Sequence, residues 1–389
     1  MWARRLDVQY LARPARGPDL VEVVRAVGGI HAQVMASAEV AIGLRVDGAT
    51  RRDVADALWE RRTLVKTHGI RGTVRLFPAD ELPLWLAALR ARAEPGAGGA
   101  AFQPDARTRR VIDAIAAALD GACLTRDELG EEVGRRVGAW ALEKTFPAFG
   151  DMWPFWTQMI GPAAAAGALC FGRNRGNRVT FVRPDQWIGS WTEVDPAAAL
   201  AEALRRYLGA FGPARPEDFA RWFTMDERAT KRLVASLGDQ IEEVDVEGWR
   251  ALQLRDEPSR PEPAGGPARS VWLLPQFDEY VIGSHPRERL VPADFRDRLA
   301  DGRVDASWAR RAVSTGAIAM IPTLLVDGIV SGVWQRRRER KRLDVRVEPI
   351  LPLTGEQQHG LEAAARRVGE IVEADVNLAL GRVDVRPHL

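Results

Sequence analysis

The chain has 389 residues, 46% of them hydrophobic, and a formal net charge of +2. That length supports two or three domains with real cores, and the near-neutral balance excludes a simple polycationic DNA coat while leaving room for a local basic channel. The longest apolar stretch, GPAAAAGALCF, is far short of the roughly 18 residues a membrane span needs, and the opening MWARRLDVQYLARPARG lacks the apolar core and cleavage site of a secretory signal.

In chain order, PDLVEVVRAV predicts a short amphipathic helix that breaks at Gly28 and Gly29. The stretch GGIHAQVMASAEVAIGLRV (28–46) then sets His31 and Gln33 one alanine apart, ahead of a small-residue run and Arg45. TRRDVADALWERRTLVKTH (50–68) predicts a helix capped by Thr50, with Asp53 in its first turn. IRGTVRLFP (70–78) predicts a strand with a glycine bend. A Pro/Gly/Ala-rich break, RAEPGAGGAAFQPDART (92–108), reads as a linker or exposed loop. ARTRRVIDAIAAALDG and LTRDELGEEVGRRV predict two helices, the second capped by Thr125, and GALCFGRNRGNRVTFVRP two β runs around a Gly/Asn turn. The same order recurs in PAAALAEALRRYLGAFG, RPEDFARWF, DERATKRLVASLG and the hairpin QIEEVDVEGWRALQL, whose tip falls near Glu247–Gly248. A second break follows at RDEPSRPEPAGGPARS (255–270). Beyond it, SVWLLPQFDEYVIG and GAIAMIPTLLVDGIVSGVWQRRRERKRLDVRVEPI predict β-rich structure, and TGEQQHGLEAAARRVGEIVEADV a final helix.

Short helices followed by a hairpin are how a winged helix looks in sequence. The expected fold is therefore α+β, with three tandem winged-helix units at 1–92, 105–192 and 195–256 and a C-terminal β-rich region at 270–389 carrying a basic hairpin and the final helix.

Cys123 and Cys170 have no CxxC spacing, which argues against a disulfide framework or a cysteine zinc site and fits a reducing cytoplasm. His31, His68, His285, His359 and His388 show no ligand spacing, so no metal is expected. Lys66, Lys144, Lys231 and Lys341 are the only lysines, so few amines are available for Schiff-base chemistry.

Four stretches in order, HAQ after the first helix, KTHGIRGTVRLFPADEL, LLPQFDEYVIG and AMIPTLLVDGIVSGVWQRRR, resemble the winged-helix DNA glycosylases related to AlkZ and YcaQ. The resemblance implies three tandem winged helices, a C-terminal β region, and a catalytic pair in a Q-Φ-Q or Q-Φ-D motif at the position of His31-Ala32-Gln33. Here histidine stands first, a departure from the crosslink-unhooking members with two glutamines. The implied activity is monofunctional hydrolysis of the N-glycosidic bond of cationic N7- or N3-alkylated purines, from simple methyl to bulky natural-product adducts or interstrand crosslinks, without AP lyase activity. The implied partner is double-stranded DNA, met by a monomer with no cofactor and no membrane association. The alternative is a winged-helix transcription regulator, which has no need of the His31/Gln33 pair.

A cationic purine is a good leaving group, so the site needs no strong general acid; it must place a water below C1′ and stabilise an oxocarbenium-like sugar. The Gln33 amide oxygen is suited to placing that water, and His31 to accepting a proton from it or holding it. For DNA contact, Arg71, Thr73 and Arg75 in RGTVRL read either as a solvated wing strand or as phosphate ligands. Arg336, Arg337 and Arg338 in QRRRERKRLDVR (335–346) follow the strand DGIVSGVW, so alternate arginines of the run are expected to project from one side of a ribbon toward a duplex, with Arg287 and Arg289 in SHPRERL as a second basic loop. Asp278 and Glu279 sit beside apolar neighbours and read as a buried hydrogen-bonded turn rather than as site residues.

Overall fold

The computed structural model describes residues 1–17, 20–92, 105–148, 150–189, 191–256, 270–293, 295 and 317–383. Of the two expected linkers, positions 93–104 and 257–269 lie outside the described residues.

The chain opens with α1 (Trp2–Val8), α2 (Leu20–Ala26), β1 (Ile30–His31), α3 (Met35–Arg45), α4 (Arg51–Trp59), β2 (Leu64–His68), β3 (Val74–Pro78) and α5 (Leu82–Arg92). Next come α6 (Ala106–Ala118), β4 (Leu124–Thr125), α7 (Arg126–Val137), β5 (Lys144–Ala148), β6 (Asp151–Pro154), α8 (Ile160–Ala165), β7 (Cys170–Arg175), β8 (Arg178–Val182) and α9 (Pro184–Trp187). Then follow α10 (Pro196–Phe211), α11 (Pro216–Phe223), α12 (Glu227–Ser236), β9 (Ile241–Val246) and β10 (Trp249–Leu254). The last described part holds β11 (Val271–Leu274), α13 (Glu279–Gly283), α14 (Arg287–Leu290), β12 (Thr323–Val326), β13 (Ile329–Glu339), β14 (Arg342–Pro349), α15 (Gly355–Val372) and β15 (Asp375–Leu380). They fold into two compact units, one of Met1–Val54, Arg206–Asp218 and Asp239–Leu389, the other of Ala55–Arg205 and Phe219–Gly238.

The first unit is built on a sheet of order β11-β12-β13-β14-β15. It is antiparallel through β14, and β15 returns parallel to β14. A parallel return needs a crossover, which α15 supplies. Thr354 and Gln357 start α15 with a capping box, and Leu361, Val368 and Ile371 are buried along it. Gly43 allows α3 to pack closely here, since a Cβ on it would lie 2.6 Å from Ile371 Cγ1. Arg367 then donates to the carbonyls of Gly43, Val46 and Ala49, satisfying acceptors that the end of α3 leaves open. At the N-terminus, Arg4, Arg5 and Gln9 donate to the carbonyls of Gly212, Pro213 and Ala210, binding α1 to the chain leaving α10. The β9–β10 tip has φ 52° at Glu247 and 86° at Gly248, the left-handed pair a tight hairpin needs, where the sequence predicts it.

In the second unit a β4-β8-β7 sheet carries a core of Val111, Ile115, Leu129, Val133, Trp156 and Phe181, drawn mainly from α6, α7 and their neighbours. Thr125 and Glu128 form the capping box of α7 that the sequence predicts. A second cluster joins Phe77, Trp85, Trp222 and Phe219 through ring contacts.

Three expected elements differ. The helix begun after Thr50 ends at Trp59, and LVKTH is strand β2, paired antiparallel with β3 from Leu64↔Pro78 to His68↔Val74. Arg62 adopts a left-handed φ of 54° that breaks the helix, and the β-branched Thr63, Val65 and Thr67 favour extension beyond it. The strand expected from residue 70 starts at Val74, because Ile70–Gly72 is a 3₁₀ turn with Arg71 at φ 61°. DEYVIG is helical rather than extended: Asp278 accepts the Tyr280 N–H and caps α13, and this cap outweighs the β preference of Tyr-Val-Ile. No described helix is long and apolar enough to cross a membrane.

Candidate active site

The glycine pair explains why the helix pattern breaks where it does. Gly28 and Gly29 both have positive φ, 70° and 90°. Their N–H groups return to Arg25 O and Val24 O, a double closure that ends α2 and turns the chain into β1. His31 ends β1 and is buried, whereas Gln33 is exposed just before α3. The backbone N–H of His31 donates to Glu279 Oε1 at 2.8 Å. Its ring stacks on Phe277, with centroids 4.4 Å apart and planes 17° from parallel. The Gln33 N–H donates to His31 Nδ1 over 3.4 Å.

Behind this turn is a buried ion pair. Arg45 Nη1 and Nη2 each donate to an oxygen of Asp278 at 2.8 Å, and both side chains are 0% exposed. Arg45 also donates to Ala41 O and Gln9 Oε1. Asp278 and Glu279 thus form the buried hydrogen-bonded turn that the sequence favours, and Glu279 also holds the backbone of the candidate histidine. Val34, the residue after Gln33, lines a cleft of about 820 Å³ together with Ser37, Pro275, Ile321, Trp334 and Arg336, among others. Val34 and Ser37 bring the N-terminal end of α3 to its rim, where a helix favours negative charge. Trp334 is buried in its wall, donating from Nε1 to Leu274 O.

The expected DNA ligands divide. Arg71 is exposed, and Thr73 is half-buried with its hydroxyl donating to Ile70 O. Arg75 is a correction: its side chain is 1% exposed, inside the second unit, so it is not placed to meet phosphate. Arg287 is another. It is buried and donates to Val281 O and Ile282 O near the C-terminal end of α13, where its guanidinium serves the fold. Arg289 is 36% exposed and paired with Glu247.

The three consecutive arginines do not share a face, because strand side chains alternate. Arg336 and Arg338 oppose Val345 and Leu343, which are buried, while Arg337 opposes Asp344 on the other side of the sheet. Arg336 is half-buried and donates to Ala36 O in α3; burial holds its guanidinium below the ordinary arginine range despite nearby Glu39. Arg337 and Arg338 are exposed, Arg337 beside Glu339 and Arg338 donating to Arg340 O. Among the described residues no group of three His, Cys, Asp or Glu side chains could hold a metal ion.

The family model for AlkZ-like DNA glycosylases matches residues 24–371, a span that contains the His31–Gln33 turn, the Asp278–Glu279 dyad and the basic hairpin. The chain belongs to the AlkZ-like DNA glycosylase family. The interstrand DNA cross-link repair glycosylase of Streptomyces sahachiroi is 32% identical to this glycosylase over 348 residues, covering 86% of each chain. The solved structure of the DNA glycosylase AlkZ from Streptomyces sahachiroi superposes with a TM-score of 0.74 at 25% identity, over 97% of this chain and 98% of that one. The mixed α+β fold is therefore that of AlkZ. Sequence reasoning did not find Phe277 as the partner of His31 or Arg45 as the partner of Asp278. The available signal was an acidic pair inside an apolar run, LLPQFDEYVIG, which requires a buried cation.

Proposed function

We propose that this glycosylase hydrolyses the N-glycosidic bond of cationic N7- or N3-alkylpurines in duplex DNA, acting as a monofunctional enzyme with water as the nucleophile. The observation that carries this reading is the His31–Gln33 turn, held from behind by Glu279 and Phe277 and opening beside a cleft. Gln33 is the exposed member and orients the water through its amide oxygen; His31 is fixed beside it as its hydrogen-bonding partner. The cleft has room for far more than a methyl group, which favours a bulky N7 substituent with apolar body and polar edges. Arg71, Thr73, Arg289, Arg337 and Arg338 are the phosphate contacts in this reading, and Arg75 and Arg287 are not. The three winged helices belong to the same reading, supported by the β7–β8 and β9–β10 hairpins, each of which follows a group of helices.

The test is base release from DNA carrying N7-methylguanine, a bulky N7 adduct or a nitrogen-mustard crosslink. The bulky adduct should be released fastest, leaving an intact strand with an abasic site. Borohydride trapping of a covalent protein–DNA adduct during turnover would overturn the water mechanism.

A further inference from the structure

We propose that Phe277 is a positioning residue for His31, an inference that rests on the reading of His31 as a participant in base release. Phe277 adopts a left-handed backbone, φ 63°, which a bulky side chain rarely tolerates. Such a conformation persists only where the surroundings over-determine it, and it marks places where geometry serves function. Here the surroundings are specific. The Phe277 N–H donates to Ala319 O, and the next residue, Asp278, is anchored by Nη1 and Nη2 of Arg45 while capping α13. The strained residue is thus pinned on both sides.

The result of this strain is a ring lying flat against the imidazole at 4.4 Å. Glu279, two residues on, holds the His31 backbone N–H. One short segment therefore fixes His31 twice, by its main chain and by its ring. With χ rotation blocked by the stack, Nδ1 stays within reach of the Gln33 N–H, and the proton of a neutral ring sits on Nε2. In that tautomer Nδ1 is the acceptor and Nε2 the donor, and the stack is what keeps both nitrogens of the ring in fixed directions.

The experiment compares Phe277→Leu with Phe277→Tyr in the full chain, alongside His31→Ala, using single-turnover base release, DNA affinity and the ring ¹⁵N shifts of histidine-labelled protein. Phe277→Tyr keeps the stack and should match the parent. Phe277→Leu should lower the saturating rate by about tenfold to a hundredfold while leaving affinity within about twofold, since a small misplacement near the chemistry has effects of that size. It should also shift the His31 ring signals toward mixed tautomers. Unchanged His31 signals in Phe277→Leu, or equal rate losses in the Tyr and Leu variants, would overturn the proposal. If His31→Ala keeps its full rate while Phe277→Leu still disturbs the ring signals, the catalytic reading of His31 fails and the positioning contact stands as a structural one. Should Phe277→Leu not fold, Phe277→Met, unbranched and better able to fill an irregular gap, takes its place in the same comparison.

Discussion

The ion pair behind the site offers a direct measure of how that region is held together. Arg45 and Asp278 are both 0% exposed and joined by two bonds of 2.8 Å. Asp278→Asn preserves size and the capping oxygen for α13, but leaves the Arg45 charge without its counter-charge in the interior. Breaking one side of a buried pair in this way costs about 3–5 kcal/mol. Arg45→Met should be similarly damaging, because it strands a carboxylate instead. Converted at about 2–4 °C per kcal/mol for a unit of this size, either single change should lower the melting temperature by roughly 6–20 °C. The double variant removes both charges, so its loss should be well below the sum of the two, with a coupling of about 1–3 kcal/mol. Urea unfolding followed by tryptophan fluorescence would measure all four proteins. If each single change costs under about 1 kcal/mol, or if the costs simply add, the pair contributes no more than a surface bridge.

Three further outcomes follow from the same geometry. Gln33→Ala should lower single-turnover base release more than His31→Ala, with the double loss less than the product of the two, and His31→Gln should keep part of the rate. If His31→Ala instead lowers only the melting temperature, His31 is a core histidine. Arg337→Ala together with Arg338→Ala should flatten the slope of log affinity against log salt by about two units if both meet phosphate, whereas Arg336→Ala should lower thermal stability and leave that slope in place. Burial pushes the Cys170 thiol far above its ordinary value, so at pH 8 it stays protonated and unreactive while the exposed Cys123 alkylates. Mass spectrometry of the native protein treated with iodoacetamide should find one label, and two labels would contradict the buried placement.

Local signals were legible where one residue type has one reason to be present. Thr125 and Thr354 each stand three residues before a Glu or Gln and start α7 and α15, and Glu247–Gly248 marks the β9–β10 tip. The errors came from elements whose identity depends on a distant partner, and one error led to another. Read as part of a β-rich stretch, DEYVIG offers no helix end, so Arg287 reads as part of a basic loop facing DNA. Once Asp278 caps α13, the carbonyls of Val281 and Ile282 near its other end become the acceptors that draw the Arg287 guanidinium inside. Arg75 is a harder case, because an arginine in an alternating strand looks solvated until its face is known to be buried. The division of Arg336 from Arg337 was readable from the start, since a period of two cannot put three successive side chains on one face.

The candidate site shows why its residues are scattered in sequence. Gly28 and Gly29 end α2 and decide where the His31 turn begins, and within the turn the Gln33 N–H reaches the ring at Nδ1 over a long 3.4 Å. Two residues form β1, too few to hold an orientation by strand pairing alone. The restraint comes from a segment 248 positions away, which binds the His31 main chain through Glu279 and stacks Phe277 on its ring. That segment is anchored in turn by Arg45, at the end of the helix that follows the turn, which neutralises Asp278 at its centre. The turn and its support are therefore locked to each other from both sides. A substitution at Arg45, fully buried behind the turn, should consequently alter base release as well as stability, whereas changes at the exposed end of the basic hairpin should alter DNA affinity alone.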